Sequence, residues 1–258
     1  MILTGDYHTH TPYSHGKNTV DENVAQAKAL GLKEIGIADH GFAHIAYGLR
    51  RKALENYKRD CALAQEKYGI KVLVGMEANI RGVSGKCDLE ESDYDNFDLF
   101  LCGKHTFIVY EDGKNRRCYG WKNLICDKFR QTPSKALIER NTAAYINLVK
   151  TNPVDAITHL NYLCPANALE VAKCAADYGT YIELNSKKSH LTDEELMDIV
   201  QKTSARFIVS SDAHAAKRVG DIKLVEEQLS RLEFPMDRID NIDGRTPNFR
   251  FAAYKQSK

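Results

Sequence analysis

The residues of this chain that could do chemistry are grouped rather than scattered. His8, His10 and His15 all fall within DYHTHTPYSH (6–15), a third of the nine histidines in ten positions. In an extended strand His8 and His10 project from the same side, so one ion can bind both. Further along stand Asp39-His40, Glu77, His105, His159, Asp212 and His214. Imidazole nitrogen together with carboxylate oxygen suits Zn²⁺, Mn²⁺ or Fe. One such histidine, taken alone, is more often a packing residue or a hydrogen-bonding partner. Seven converging histidines with three carboxylates are different. Left uncompensated they would repel or neutralise one another. Metal ions remove that cost, so a polynuclear metal site is expected.

Convergence depends on the elements that carry these residues. Short apolar runs alternate with helical patterns along the chain: ILTGDYH (2–8), KEIGIAD (33–39), IKVLVGMEA (70–78), FDLFLCG (97–103), DAITHL (155–160), TYIELN (180–185) and RFIVSSD (206–212). The third is continuous rather than alternating, as in a strand buried on both faces. Helices are expected over 20–30, 52–68, 133–150, 166–178, 192–202 and 217–231. Thr19/Glu22 and Thr192/Glu195 form capping boxes, Gly31, Gly69 and Gly179 close helices, and Pro133 suits a first turn. Such alternation argues for parallel strands with right-handed crossovers. The expected fold is α/β, a distorted (β/α)7 barrel, with an open doubly wound sheet as the alternative. Six of the seven runs deliver a His, Asp or Glu at their C-terminal end, the end that carries active sites in α/β barrels. The remaining run, TYIELN (180–185), holds Glu183, whose role is open.

The chain of 258 residues is read as one barrel domain, 1–258, with a long insertion-like loop at about 106–132. That loop is expected to hold a hairpin, FIVYEDGKNRRCYGW, turning near Asp112-Gly113. With 36 basic and 35 acidic residues the net charge is +1, which gives no general affinity for nucleic acid. No apolar run approaches the roughly 20 residues of a membrane-spanning helix. Without a basic, apolar leader the expected location is cytoplasmic. The seven cysteines form no CxxC pair and read as reduced packing thiols.

HTH (8–10), DH (39–40), Glu77, His105, TH (158–159) and SDAH (211–214) occur in the order and at the separations that resemble the PHP superfamily of polymerase- and histidinol-phosphatase-type metal-dependent phosphoesterases. VAQAKALGLKEIGIADHG, GMEANIRGVSGKCDL, IELNSK and FPMDRIDNI look like its YcdX-like subgroup. The resemblance spans about residues 4–242. It implies a distorted (β/α)7 barrel, a homotrimer and three divalent ions (Zn, Mn or Fe). On that pattern His8, His10, Glu77 and Asp212 hold the first ion. Glu77 bridges to a second, held also by His105 and His159. His15, His40 and His214 hold the third. His8, His10, Glu77 and Asp212 are the residues assigned to catalysis, and Asp39 would orient a ligand histidine from behind. Two departures border the pocket: Leu160 stands where many members have proline, and the segment after His105 is longer.

The implied activity is hydrolysis of a small phosphorylated substrate, a phosphate monoester, by a hydroxide shared between two metals, with no protein nucleophile. Arg81, Lys187 and Arg218 follow strand ends and could meet the phosphate. His44 lies four residues beyond His40 and could touch substrate. Asn185 could contact ligand or cap a turn. Several readings compete. One is a histidinol-phosphate phosphatase, and another a protein-tyrosine phosphatase of the same superfamily. An amidohydrolase is disfavoured because Glu77 on the third strand takes the bridging role. A non-catalytic metal-binding scaffold is disfavoured by the full ligand set.

Overall fold

The computed structural model describes residues 1–257; Lys258, part of the span 1–258 read from the sequence, lies outside the described residues. Its frame is one sheet of seven parallel strands in sequential order: β1 Gly5–Thr9, β2 Glu34–His40, β3 Lys71–Asn79, β4 Leu99–Gly103, β5 Ala156–Ile157, β6 Tyr181–Asn185 and β7 Phe207–Ser210. The sheet curls until its ends meet. Thr9 bridges Ala213, the His10 N–H donates to the Ala213 carbonyl (2.8 Å), and the Ala213 N–H to that of His8 (3.2 Å). Buried Asp6 adds to the same seam, accepting from the Ser211 N–H and hydroxyl and the Gly220 N–H. The nearly closed (β/α)7 barrel forms, and the open sheet does not.

Helices α1 (Val20–Ala29), α2 (Leu54–Tyr68), α5 (Lys135–Thr151), α6 (Ala168–Tyr178), α7 (Asp193–Lys202) and α8 (Lys223–Leu229) pack outside the strands. Both capping boxes are made, at Thr19/Glu22 and Thr192/Glu195. The last expected helix is shorter than 217–231, because a 3₁₀ turn and Gly220 in the left-handed region precede it. A C-terminal helix, α9 (Arg250–Gln256), gave no sequence signal; it packs through fully buried Phe251.

Inside the barrel, a cluster of Tyr7, Ala38, Leu73, Leu99, Leu101, Ala156, Tyr181 and Ile208 plugs the N-terminal end. Phe249 closes this floor edge-on against Tyr7 (4.9 Å between ring centroids). Inward positions alternate along each strand, so the same face that carries Leu73 or Ile208 low in the barrel carries Glu77 or Asp212 at the top. β1 breaks the alternation. Its register with β2 shifts between Asp6 and Thr9, which lets Tyr7 face the floor cluster while His8 faces the top.

The segment 106–132 is not a hairpin. Residues 107–109 pair with 43–45: the Ile45 N–H donates to the Phe107 carbonyl and the Val109 N–H to that of Ala43. The chain then runs helically through α3 (Gly113–Asn115), a π-helical turn (Arg116–Trp121) and α4 (Lys122–Lys128). Asp112-Gly113 begins a helix: the Asp112 carboxylate accepts from the Asn115 N–H (2.7 Å) as an N-cap. Tyr119, Asn123 and Cys126, spaced as one helical face, are the buried residues that seat it, and Asn123 exchanges hydrogen bonds with Asn141 on α5. All seven cysteines are free and six are buried. Among the described residues no helix is long and apolar enough to cross a membrane.

Candidate metal centre

The C-terminal mouth of the barrel gathers the nine candidate ligands. Glu77, fully buried at the top of β3, is the hub. Its Oε1 lies 2.6 Å from His159 Nε2 and 3.1 Å from His105 Nε2; its Oε2 lies 2.8 Å from His40 Nδ1, 3.3 Å from His8 Nε2 and 3.7 Å from His10 Nε2. The two oxygens thus face two separate sets of imidazoles. Asp212 Oδ1 approaches His10 Nε2 (3.4 Å), His8 Nε2 (3.9 Å) and His214 Nδ1 (3.2 Å). His15 reaches the centre from beyond the turn at Pro12, its ring 4.8 Å from that of His40 and 4.3 Å from that of His214.

Three sets bring one donor atom each within 4.8 Å of one another: His8/His10/Glu77, His40/Glu77/His105 and His10/His40/His214. His10 and His40 each stand in two of them, so the rings form one continuous cluster rather than three isolated triads. Two members sit where the backbone is unusual. His159 and Asp212 have φ of 32° and 48° at the ends of β5 and β7. Left-handed backbone at residues other than glycine costs roughly 1–3 kcal/mol and persists only where surroundings enforce it. Here the twist takes His159 out of strand alternation, so that Thr158 Oγ1 and His159 both reach Glu77 Oε1, and it ends β5 after two residues. Gly103 makes room for this: a Cβ there would lie 2.2 Å from Thr158 Oγ1 and 2.7 Å from His159 Cε1.

The electrostatics favour ligand forms at Glu77, Asp212, His10, His15 and His105, and the protonated form at His8. Burial alone would raise the Glu77 carboxyl, but His105, His8, His40 and His159 hold it well below the usual range. Burial likewise opposes ionisation of Asp212, yet His8 and His10 lower it strongly. Burial, then His40, lowers His10 well below an ordinary imidazole. The same burial takes His15 and His105 down to about 3, His15 with help from His40 and His105 against the pull of Glu77. Neutral imidazole is the form that binds metal. Burial would also lower His8, but Glu77, Glu183 and Asp212 together raise it well above its ordinary value.

The PHP domain family matches residues 6–187 of this chain. The chain belongs to that family. Among its relatives, a probable phosphatase of Clostridium novyi (strain NT) is 30% identical, over 98% of this chain and 94% of its own. A probable phosphatase of Shewanella halifaxensis is 29% identical over 92% and 87% respectively. A solved histidinol phosphate phosphatase of Lactococcus lactis, in complex with zinc, L-histidinol and phosphate, shares the fold at a TM-score of 0.63. It is 17% identical to this chain and covers 96% of it and 100% of its own.

Within this PHP domain the other sequence candidates divide. Lys187 reaches the centre, its Nζ 3.2 Å from Asp212 Oδ1 and 3.2 Å from His214 Nδ1. His44 lines the same cavity, stacked on His40 at 5.3 Å; burial, then His40, lowers it to about 4. Arg81 and Arg218 are turned away. Arg81 Nε donates to the Val109 carbonyl, and Arg218 is tied to Asp221 and the Ser186 carbonyl; neither lines the cavity. Following a strand end was insufficient, because backbone acceptors and acidic neighbours outside the mouth captured both guanidiniums. Asp39 lies behind the ligands, 3.9 Å from His10 Nδ1, and is held by the Thr11 N–H and hydroxyl and the Ser14 hydroxyl.

Sequence reasoning missed the groups that orient the imidazoles. Glu183 Oε1 lies 2.6 Å from His8 Nδ1, and its Oε2 accepts from the His159 N–H (2.7 Å). Asn79 Oδ1 lies 2.9 Å from His105 Nδ1. Asn185 does more than cap a turn: its Nδ2 donates to Glu183 and Asp212, while its Oδ1 accepts from the Lys187 and Lys188 N–H groups. Carboxylate and amide partners behind ligating histidines set tautomer and ring direction. Tyr47, Thr106, Tyr162, Leu163, Lys188 and His190 complete the cavity, of about 420 Å³.

Proposed function

We propose that this chain hydrolyses phosphate monoesters with three divalent ions held by the nine residues at the barrel mouth. One observation carries the reading: the two oxygens of a fully buried Glu77 serve two sets of imidazoles, the arrangement of a carboxylate that bridges metals. The donor set also fits ions by what it leaves unpaired. His15 Nδ1, His40 Nδ1 and Glu77 Oε2 are buried without a hydrogen-bond partner. Buried polar atoms rarely stay unpaired. His40 Nδ1 and Glu77 Oε2 approach to 2.8 Å without hydrogen-bond alignment, as two lone pairs aimed at a shared point would.

His8, His10, Glu77 and Asp212 would hold the first ion, Glu77, His105 and His159 the second, and His15, His40 and His214 the third. Bound ions supply positive charge for phosphoryl oxygens and a water of lowered pKa. The chain's own residues do the rest. Glu183 and Asn79 keep the His8 and His105 rings directed into the mouth. Lys187 places an ammonium beside Asp212 and His214, where a phosphoryl oxygen would meet it. His44, Tyr47 and Tyr162 wall the cavity above the cluster, so the ester's organic part rests against rings.

The reading is tested by metal analysis and p-nitrophenyl phosphate hydrolysis, comparing wild type with Glu77→Gln and His8→Ala. Two or more ions per chain and a loss of at least a hundredfold in both variants are expected. Equal turnover in all three proteins refutes the mechanism, and fewer than two ions per chain in wild type points to a scaffold.

A further inference from the structure

Beyond the metal-binding cluster, the wall of the cavity carries a charge pattern that bears on the substrate. Its remaining lining consists of His44, Tyr47, Thr106, Tyr162, Leu163, Lys187, Lys188 and His190, with Glu77 and Asp212 both inside the cluster. The two side chains of fixed charge in that wall are both ammonium groups. Lys187 is turned down onto Asp212 and His214. Lys188 is turned the other way, its Nζ 5.9 Å from the centroid of Tyr162. Tyr162 in turn stands 5.2 Å from His159 and 5.1 Å from His190, centroid to centroid. Lys188 therefore sits about one ring outward from the cluster, above an aromatic shelf.

This placement is built rather than incidental. The N–H groups of both lysines donate to Asn185 Oδ1, at 2.9 and 3.3 Å. Asn185 is buried and its Nδ2 is bound to Glu183 and Asp212, so one side chain fixes the lysine pair to the metal cradle. The far end of the turn is pinned as well: the Ser189 hydroxyl donates to the Leu191 carbonyl and to Gln228 Oε1. Burial, then Asp127, raises the Tyr162 phenol, but Asp127 is exposed and lies outside the lining.

We propose that Lys188, over the Tyr162 ring, forms a subsite for a second anionic group on the substrate, a carboxylate or another phosphate borne by the alcohol portion of the ester. The proposal rests on the phosphomonoesterase reading for the orientation of the ester: phosphoryl group at the cluster, alcohol portion outward. A leaving group bearing an ammonium would meet like charge at the same place.

An isosteric series separates this proposal from the reading beneath it. Binding of 3-phosphonopropionate, propylphosphonate and 3-aminopropylphosphonate to the metal-loaded full chain is measured by calorimetry. The carboxylate should bind about tenfold more tightly than the ammonium, the scale of a unit charge reversal a few ångströms from an exposed lysine. The ions of the cluster also favour anions, so the decisive quantity is the change in that ratio on mutation. Lys188→Gln should reduce the carboxylate-to-ammonium ratio at least fivefold, and Lys188→Glu should invert it. A ratio that is flat in wild type or persists in both variants overturns the subsite, as does failure of all three phosphonates to bind. If the ratio behaves as expected while p-nitrophenyl phosphate is not hydrolysed, the subsite stands and the hydrolytic reading falls.

Discussion

Glu183→Gln tests how the cradle works, because the substitution keeps shape and removes one acceptor. Glu183 Oε1 faces His8 Nδ1 at 2.6 Å, and Oε2 accepts from the His159 N–H at 2.7 Å and Asn185 Nδ2 at 3.0 Å. A glutamine has one oxygen for these two sides. Turned toward His159 and Asn185, it satisfies two donors but points its NH₂ at His8. His8 Nδ1 must then accept, which moves the ring proton to Nε2. Nε2 is the atom that faces Glu77, Asp212 and His10, at 3.1 to 3.9 Å, and its lone pair is what an ion needs. Turned the other way, the NH₂ opposes a buried main-chain N–H, at about 1–3 kcal/mol. The first arrangement leaves no buried main-chain donor opposed, so the loss should appear in metal affinity. Replacing such an orienting partner lowers affinity about 10- to 100-fold, or roughly 1.4–2.7 kcal/mol. Metal titration by calorimetry reads this, and the metal-free Tm should stay within a few degrees of wild type. Affinity within twofold of wild type would show that Glu183 does not set the His8 tautomer.

Three further outcomes are expected. His15→Ala and His8→Ala should each lower metal content by one ion but not the same one: the first should leave the Glu77–Asp212 ion, and the second should remove it; metal analysis with anomalous scattering at the sites decides, and loss of the same ion from both refutes the division. Asp155, fully buried just before β5, has its carboxyl pushed up to about 7 by burial, although the Phe100 and Phe251 N–H groups donate to it. Its folded state therefore holds a proton that the unfolded chain has lost above pH 4, so this contribution to stability falls as pH rises toward 7; the stability gap between wild type and Asp155→Asn should narrow between pH 5 and 8 in denaturant titrations, and a constant gap refutes it. Lys104, 1% exposed, donates to the His105 carbonyl and to Tyr110 Oη. Lys104→Met should cost about 1–3 kcal/mol by leaving the buried His105 carbonyl without its donor, read as a Tm several degrees lower by scanning calorimetry; an unchanged Tm shows the ammonium to be dispensable.

Much of the barrel was legible because its signals are local. Thr19/Glu22 and Thr192/Glu195 act within three residues, and a helix end at Gly69 or Gly179 depends on one φ. The apolar runs at 70–78 and 206–212 need only be buried on both faces to read as parallel strands. The stretch 106–132 failed for a physical reason. Asp-Gly serves a tight hairpin turn and an N-cap followed by a first helical residue equally well, and only the register downstream separates them. Tyr119, Asn123 and Cys126 held that register, but none of the three is aliphatic, so a helical face was hidden by Asn123–Asn141 pairing across 18 residues. β5 was overextended because nothing local marks His159 for a left-handed backbone; the demand comes from Glu77, 82 residues away.

The site divides in the same way. Eight of the nine ligand candidates could be found because each sits at a strand end or shortly beyond it, and strand ends can be counted; His15, past the turn at Pro12, was marked only by the resemblance to the family. Arg81 and Arg218 obeyed the same counting and still turned away, since a long side chain takes whichever acceptor its own neighbourhood offers. Asn79 and Asn185 carry no distinguishing type. Glu183 is different, because strand alternation alone marks it. Glu77 faces inward on β3 two places above Gly75, and Asp212 stands two places above Ser210. The same two-residue step along β6 runs Tyr181, Glu183, Asn185. Tyr181 plugs the floor, so Glu183 must face the mouth. The strand that carried no ligand candidate was therefore supplying the carboxylate that turns a histidine.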